Sequence, residues 1–239
     1  ICYAPAPAGG GEGSMGVHDG HRDRKRQQFL TSGPDPFADH ELLEVLLYYA
    51  VPRKDTNPIA HELINRFGSL QAVFAAPAAE LERVPGLGRN AAVLLKLVPE
   101  LYRKAILSAS ANETVLNTTD RIGEFFRDLF AGQSKEVMYQ LCLDAKGRKL
   151  HVYKLGEGDV GSVGLNVRRI MENALHTNAM MVVLAHNHPS GVALPSREDE
   201  TATELAREAL DAMGVALVDH IIVADNDYVS LRESGRIRA

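Results

Sequence analysis

Residues 179–199 read AMMVVLAHNHPSGVALPSRED. The apolar run at the start predicts a buried strand, and the segment SREDETATELAREALDAMG that follows predicts a long amphipathic helix. Between them the chain turns through Pro189, Ser190 and Gly191. A strand that ends in His186-Asn187-His188 sends alternate side chains the same way, so both imidazoles can converge on one point. Asp199 falls in the first turn of the helix, where its carboxylate can face back toward the strand end. Two neutral imidazoles, one carboxylate and an open fourth position form the pattern of a catalytic zinc rather than a structural one. A second reading of the same residues stands beside it. Ser196 and Asp199 are also an S-x-x-D capping box, which would merely satisfy the orphan N–H groups of the helix start. A polar His-Asn-His is costly at a buried strand end unless something pairs with it, which favours a ligand. Spacing alone leaves both readings standing.

Working outward, TTDRIGEFFRDLFAG predicts a helix, and KEVMYQLCLDAKGRKLHVYKL predicts two strands joined at DAKGRK, a hairpin signal. VRRIMENALHTN is helical, and VALVDHIIVAD and DYVSL close the chain as strands. Strands and helices interleave without the repetition of a doubly wound fold, so residues 120–239 are expected to form an α/β domain with a mixed sheet. Upstream the apolar spacing is helical. Leu42, Leu43, Leu46 and Leu47 follow a capping Asp39, Pro58 suits a first helical turn and Gly68 a stop, and the helix after the PGLG turn runs through Pro99. Residues 21–107 therefore predict a small all-α domain. SASANETVLNTT, residues 108–119, is the expected linker, and residues 1–20, led by ICYAPAPAGGGEGS, an expected disordered tail.

The 239 residues carry a net charge of −5, so any polyanion would have to meet a local patch. Cys2 and Cys142 support neither a disulfide framework nor a thiolate metal site, which fits a reducing cytoplasm. No segment approaches the length of a membrane span, so no membrane partner is expected. Gly156-Glu-Gly158-Asp-Val-Gly161 matches G-x-G-x-x-G, but no helix opens directly after it, which argues against a dinucleotide site. The turn at Gly86, Gly88 and Arg89 has two readings: a helix-hairpin-helix whose backbone N–H groups hold a DNA phosphate, or a compact turn that uses glycine for tight geometry. Arg22, Arg24, Lys25 and Arg26 read as a solvated surface. His220, within an apolar run, reads as a buried histidine behind a metal ligand rather than a fourth ligand.

His186-Asn-His188-Pro-Ser-Gly191, followed by Pro195-Ser196-x-x-Asp199, resembles the JAMM motif in the form found in the bacterial RadC (UPF0758) family. Asp219-His220-Ile221-Ile222-Val223, Tyr228-x-Ser230-Leu231 and the helical region with its PGLG turn extend the resemblance from about Gly20 to Gly235. It implies a JAMM/MPN-like, cytidine-deaminase-like layered domain, with Zn2+ held by His186, His188 and Asp199. The implied activity is metallopeptidase or isopeptidase hydrolysis of a protein or peptide substrate, with Ser196 assisting the reacting oxygen and an upstream glutamate moving the proton. Where many relatives carry that glutamate this sequence has Tyr153 or Lys154. Glu157 is the candidate base, Glu172 the weaker one, and an exposed turn residue is the competing reading of Glu157. The family's traditional label points instead to a DNA repair accessory protein that binds DNA through the helical domain, with a structural zinc.

Overall fold

A computed structural model describes residues 17–108, 115–158 and 166–237. Packing divides these into two compact units. One runs to Val73 and resumes over Pro77–Leu94, and the other comprises Phe74–Ala76 and everything from Leu95 onward. Among the described residues no helix is long and apolar enough to cross a membrane.

The first unit is helical: α1 (Val17–Ser32), α2 (Asp39–Leu47), α3 (Asn57–Phe67), α4 (Leu70–Ala75), α5 (Ala78–Leu81) and the start of α6 (Arg89–Ser108). Leu43, Leu47, Ile59, Ala60, Leu63, Leu81 and Val84 form its buried interior. Three details differ from expectation. Ala38, not Asp39, caps α2, because Glu41 reaches back to the Ala38 N–H at 3.0 Å. Arg22, grouped above with a solvated surface, is buried, and its guanidinium donates to the carbonyls of Val51 (2.9 Å), Pro52 (2.7 Å) and Lys54 (2.5 Å). A five-donor fork suits three carbonyls in a chain reversal. Helix α1 also reaches back to Val17, inside the stretch that composition groups with the tail.

The second unit is layered. Beyond the rest of α6 it holds α7 (Thr119–Phe130), β1 (Glu136–Leu143), β2 (Lys149–Gly158), α8 (Val167–His176), β3 (Met181–Asn187), α9 (Arg197–Asp211), β4 (Ala216–Ala224) and β5 (Asp227–Ser230). The sheet has the order β2-β1-β3-β4-β5; β3 and β4 are parallel and the other neighbours antiparallel, so the sheet is mixed as expected. Strand alternation sorts the side chains to two faces. Val137, Tyr139, Leu141, Val183, Ala185, Ile221 and Val223 pack with Ile122, Phe126 and Leu129 of α7. Cys142, Val182 and Leu184 pack with Ile170 and Ala174 of α8 and with Ala206 and Leu210 of α9. Of the expected linker, residues 109–114 lie outside the described residues. Its end is already part of this unit, since Leu116 is buried in the α7 face and Thr118 caps α7.

Candidate metal centre

The parallel pair β3 and β4 ends together, and the site forms at that edge. His188 N–H donates to the Val223 carbonyl at 2.7 Å, which carries β3 pairing one residue past the strand. Asn187 locks the other side: its Oδ1 accepts from Val137 N–H (2.8 Å) and its Nδ2 donates to the Lys135 carbonyl (2.9 Å). The chain then reverses at Gly191, whose φ of +81° puts the site of a Cβ 3.0 Å from Asp225 Oδ2. Only glycine fits that turn without strain.

His186, His188 and Asp199 offer donor atoms that all lie within 4.8 Å of one another. His186 Nε2 is 2.9 Å from His188 Nε2 and 3.3 Å from Asp199 Oδ1, and His188 Nε2 is 3.9 Å from Asp199 Oδ2. Zinc–ligand bonds of about 2.0–2.2 Å in a tetrahedron separate ligands by roughly 3.3–3.6 Å, so these spacings suit such an ion.

The hydrogen bonds behind the ligands decide which nitrogens carry protons. The Thr203 hydroxyl lies 2.5 Å from the Asp199 carbonyl, which can only accept, so Thr203 donates there and must accept from His220 Nδ1 at 2.6 Å. With its proton on Nδ1, neutral His220 accepts at Nε2 from His186 Nδ1, 2.8 Å away. His186 Nε2 is therefore a bare lone pair. His188 Nδ1 faces the Val192 carbonyl at 2.9 Å, again an acceptor only, which frees its Nε2 as well. Burial drives His186 down to about 4, against the pull of Asp199, and holds His220 well below the usual imidazole range. With both imidazoles neutral, two lone pairs and a carboxylate oxygen face one another, a donor set suited to a cation.

The capping-box reading of Ser196 and Asp199 is realised, and it engages one carboxylate oxygen while leaving the other available. Asp199 Oδ2 accepts from Ser196 N–H (2.8 Å) and Ser196 Oγ (2.6 Å), and Asp199 N–H donates back to Ser196 Oγ (3.1 Å), which is the capping box. Oδ1 is left to face His186. Burial works against ionisation of Asp199, but the Ser196 hydrogen bonds and His186 outweigh it and hold the carboxyl below its ordinary range.

Glu157 is placed differently. A bulge between Met138 and Tyr139 puts Lys154 and Glu157 on one face, opposite Tyr139 and Val137, and that face packs on α7. There Glu157 pairs with Lys154 (2.5 Å) and Lys135 (3.2 Å), whose hydrogen bonds lower its pKa. His186 stands on the other face, opposite Met138. Glu172 is exposed on α8 and paired with Arg168 at 2.9 Å. A third acid went unnoticed in the sequence. Glu136 opens β1, is buried, and lies two residues before Met138, hence on the face of the sheet that carries His186. Its signal was an acidic residue at the head of a mostly apolar strand, EVMYQLCL, every position of which is buried.

In the first unit, Gly86 has φ +85° and the site of its Cβ is 3.0 Å from Ile59 Cδ1, so turn geometry and packing together demand glycine. Gly88 has nothing within 4 Å of its Cβ site and precedes Arg89, the exposed first residue of α6. Gly161 of the G-x-G-x-x-G match lies outside the described residues, and Gly156 and Gly158 are in strand β2.

Residues 116–236 match the RadC-like JAB domain family, and residues 20–93 match the UPF0758 N-terminal family. The UPF0758 protein FN0909 of Fusobacterium nucleatum subsp. nucleatum is 35% identical over 227 residues, covering 92% of this chain and 98% of that protein.

Proposed function

Because the chain belongs to the RadC (UPF0758) family and carries its RadC-like JAB domain, we propose that the second unit is a zinc metallohydrolase that cleaves amide or isopeptide bonds in a protein or peptide substrate. The observation that supports this reading most is the convergence of the bare Nε2 atoms of His186 and His188 with Asp199 Oδ1. Nitrogen and carboxylate donors without a thiolate suit zinc better than magnesium, which prefers an all-oxygen shell. A bound zinc ion would supply Lewis acidity, polarising a substrate carbonyl and acidifying water.

The chain's own residues divide the remaining work. His186, His188 and Asp199 hold the ion. Glu136, rather than Glu157, is the proposed general base, since it shares the face of His186 while Glu157 is tied to two lysines on the other face. A carboxylate there takes a proton from the attacking water and returns it to the leaving amine. Ser196 orients Asp199 through the capping box, and by turning its hydroxyl proton away from that carboxylate it can donate to the developing oxyanion.

The test is metal content and peptide hydrolysis of the purified chain. His188→Ala should lose zinc. Glu136→Gln should keep zinc yet lose about 10²–10⁴-fold in turnover of a fluorogenic peptide or isopeptide, while Glu157→Gln stays near wild type. Unchanged zinc in His188→Ala would sink the metal assignment, and full activity in Glu136→Gln would sink the base. A second reading, DNA binding by the helical unit in a repair accessory role, is favoured by one feature, the open space at Gly88 where α6 begins. It predicts salt-dependent DNA affinity that falls on Arg89→Ala.

A further inference from the structure

Behind His186 a closed path links three elements. Its hydrogen bonds run from the Asp199 carbonyl on α9 to Thr203 one turn later, then to His220 on β4 and to His186 on β3, and the path closes where His186 Nε2 faces Asp199 Oδ1 at 3.3 Å without a hydrogen bond. Thr203 and His220 touch no donor atom of the cluster from the open side. Both are buried, each with about 1% of its surface exposed, so water cannot replace either partner.

We propose that Thr203 and His220 are positioning residues that fix the tautomer of His186 and so hold its Nε2 lone pair ready for the metal. The inference rests on the reading of the site as a metal centre, and it assigns work to two residues that coordinate nothing. The direction of the relay comes from its far end. A main-chain carbonyl cannot donate, so the Thr203 proton is committed to Asp199, the His220 proton to Thr203, and the His186 proton to His220. Remove the hydroxyl and the constraint reverses. His220 loses its acceptor at Nδ1 and is then better served by a proton on Nε2, which it donates to His186 Nδ1. His186 is left with its proton on Nε2, pointing at the metal position. Metal binding must then first shift two tautomers and leave a buried His220 N–H unpaired, a cost paid only by the loaded state.

The experiment uses the full chain, with zinc affinity read by competition against a chromophoric chelator and the His186 tautomer read in the metal-free protein by ¹⁵N chemical shifts of the imidazoles. Thr203→Val keeps the shape and removes the hydroxyl. It should weaken zinc binding about 10–100-fold and move the metal-free His186 proton from Nδ1 to Nε2. Thr203→Ser restores the hydroxyl and should restore both readouts. Circular dichroism confirms that each variant is folded, and His220→Gln, which can still accept from His186, should bind zinc more tightly than His220→Phe. If wild type and Thr203→Val bind zinc equally and His186 keeps its proton on Nδ1 in both, the relay is overturned while the metal centre stands. If wild type binds no zinc, the metal centre falls, and the tautomer shift still decides whether Thr203 directs His186.

Discussion

Replacing Asp199 with asparagine separates the capping role of its carboxylate from its proposed role as a metal ligand. Its Oδ2 caps α9 by accepting from Ser196 N–H and Oγ, and its Oδ1 faces His186 Nε2 at 3.3 Å. An asparagine placed there has one orientation that satisfies everything in the metal-free protein. Its carbonyl takes the place of Oδ2 at the cap, and its amide N–H points at the bare His186 nitrogen and donates to it. The cap survives, a hydrogen bond forms to one of the lone pairs, and the cation site is filled by a proton. Asp199→Asn should therefore melt within a degree or two of the metal-free wild type, since the N-cap residue Ser196 is untouched and the asparagine carbonyl can still accept the return hydrogen bond from Ser196 N–H. Its zinc affinity should fall by more than about 100-fold, because outer partners alone are worth about 10–100-fold and here a direct ligand is lost. Ser196→Ala should show the opposite pattern. It removes the cap at a cost of about 1 kcal/mol, roughly 2–8 °C for a domain of this class, and leaves the three donor atoms in place. Thermal melts of chelated protein and chelator competition with zinc measure the two effects. A zinc affinity in Asp199→Asn equal to wild type would refute the assignment of Oδ1 to the metal, and a drop of many degrees in its melting point would refute the division between the two oxygens.

Two further outcomes follow from the first unit. Gly86→Ala forces a left-handed backbone on an L-residue, about 1–2 kcal/mol, and crowds Ile59, so it should destabilise by at least that much in urea titrations; Gly88→Ala, with open space around it, should cost well under half as much, and equal losses at the two positions would contradict the packing described. Glu44 is buried, and although burial opposes its ionisation, hydrogen bonds from Asn57, Tyr48 and His21 hold its carboxyl below the ordinary value. A depressed folded value means that the stabilisation is fully present above the unfolded value of about 4.3 and is lost as pH falls through the lower folded one. Urea midpoints measured from neutral to about pH 3 should fall less steeply in Glu44→Gln than in wild type, and identical slopes would show that Glu44 plays no part.

What could be read from the sequence is what the chain writes locally. The strand, the Gly191 turn and the helix carrying Asp199 occupy one continuous stretch, so the cluster of His186, His188 and Asp199 was legible from spacing and type, and the hairpin at DAKGRK from its turn residues. The capping box is formed, and it leaves Asp199 Oδ1 facing His186, so the cap does not compete with the ligand reading. What could not be read depends on register between distant strands. Glu136 is 50 residues from His186, and only the pairing Met138↔His186 puts it on the same face. The acid nearest in sequence to the expected place of the base is Glu157, and a bulge that no local signal announces sends that side chain to the other face. Arg22 failed for a related reason: four basic residues in five look like a surface, and the three carbonyls that bury one of them lie about thirty residues on.

The same distinction explains how the centre is held. Each of the three side chains has a second polar atom, and each of those is hydrogen-bonded: His188 Nδ1 to the Val192 carbonyl in the loop after β3, His186 Nδ1 to His220 on β4, and Asp199 Oδ2 to the cap of α9. With those bonds made, none of the three side chains can rotate away without leaving a polar group unpaired in a partly dry setting, a penalty of about 1–3 kcal/mol each. The lone pairs are thus kept pointed at one another by interactions elsewhere. On the proposed reading, zinc binding would also add to the stability of the sheet edge where β3, β4 and α9 meet, growing as RT ln(1 + [Zn]/Kd).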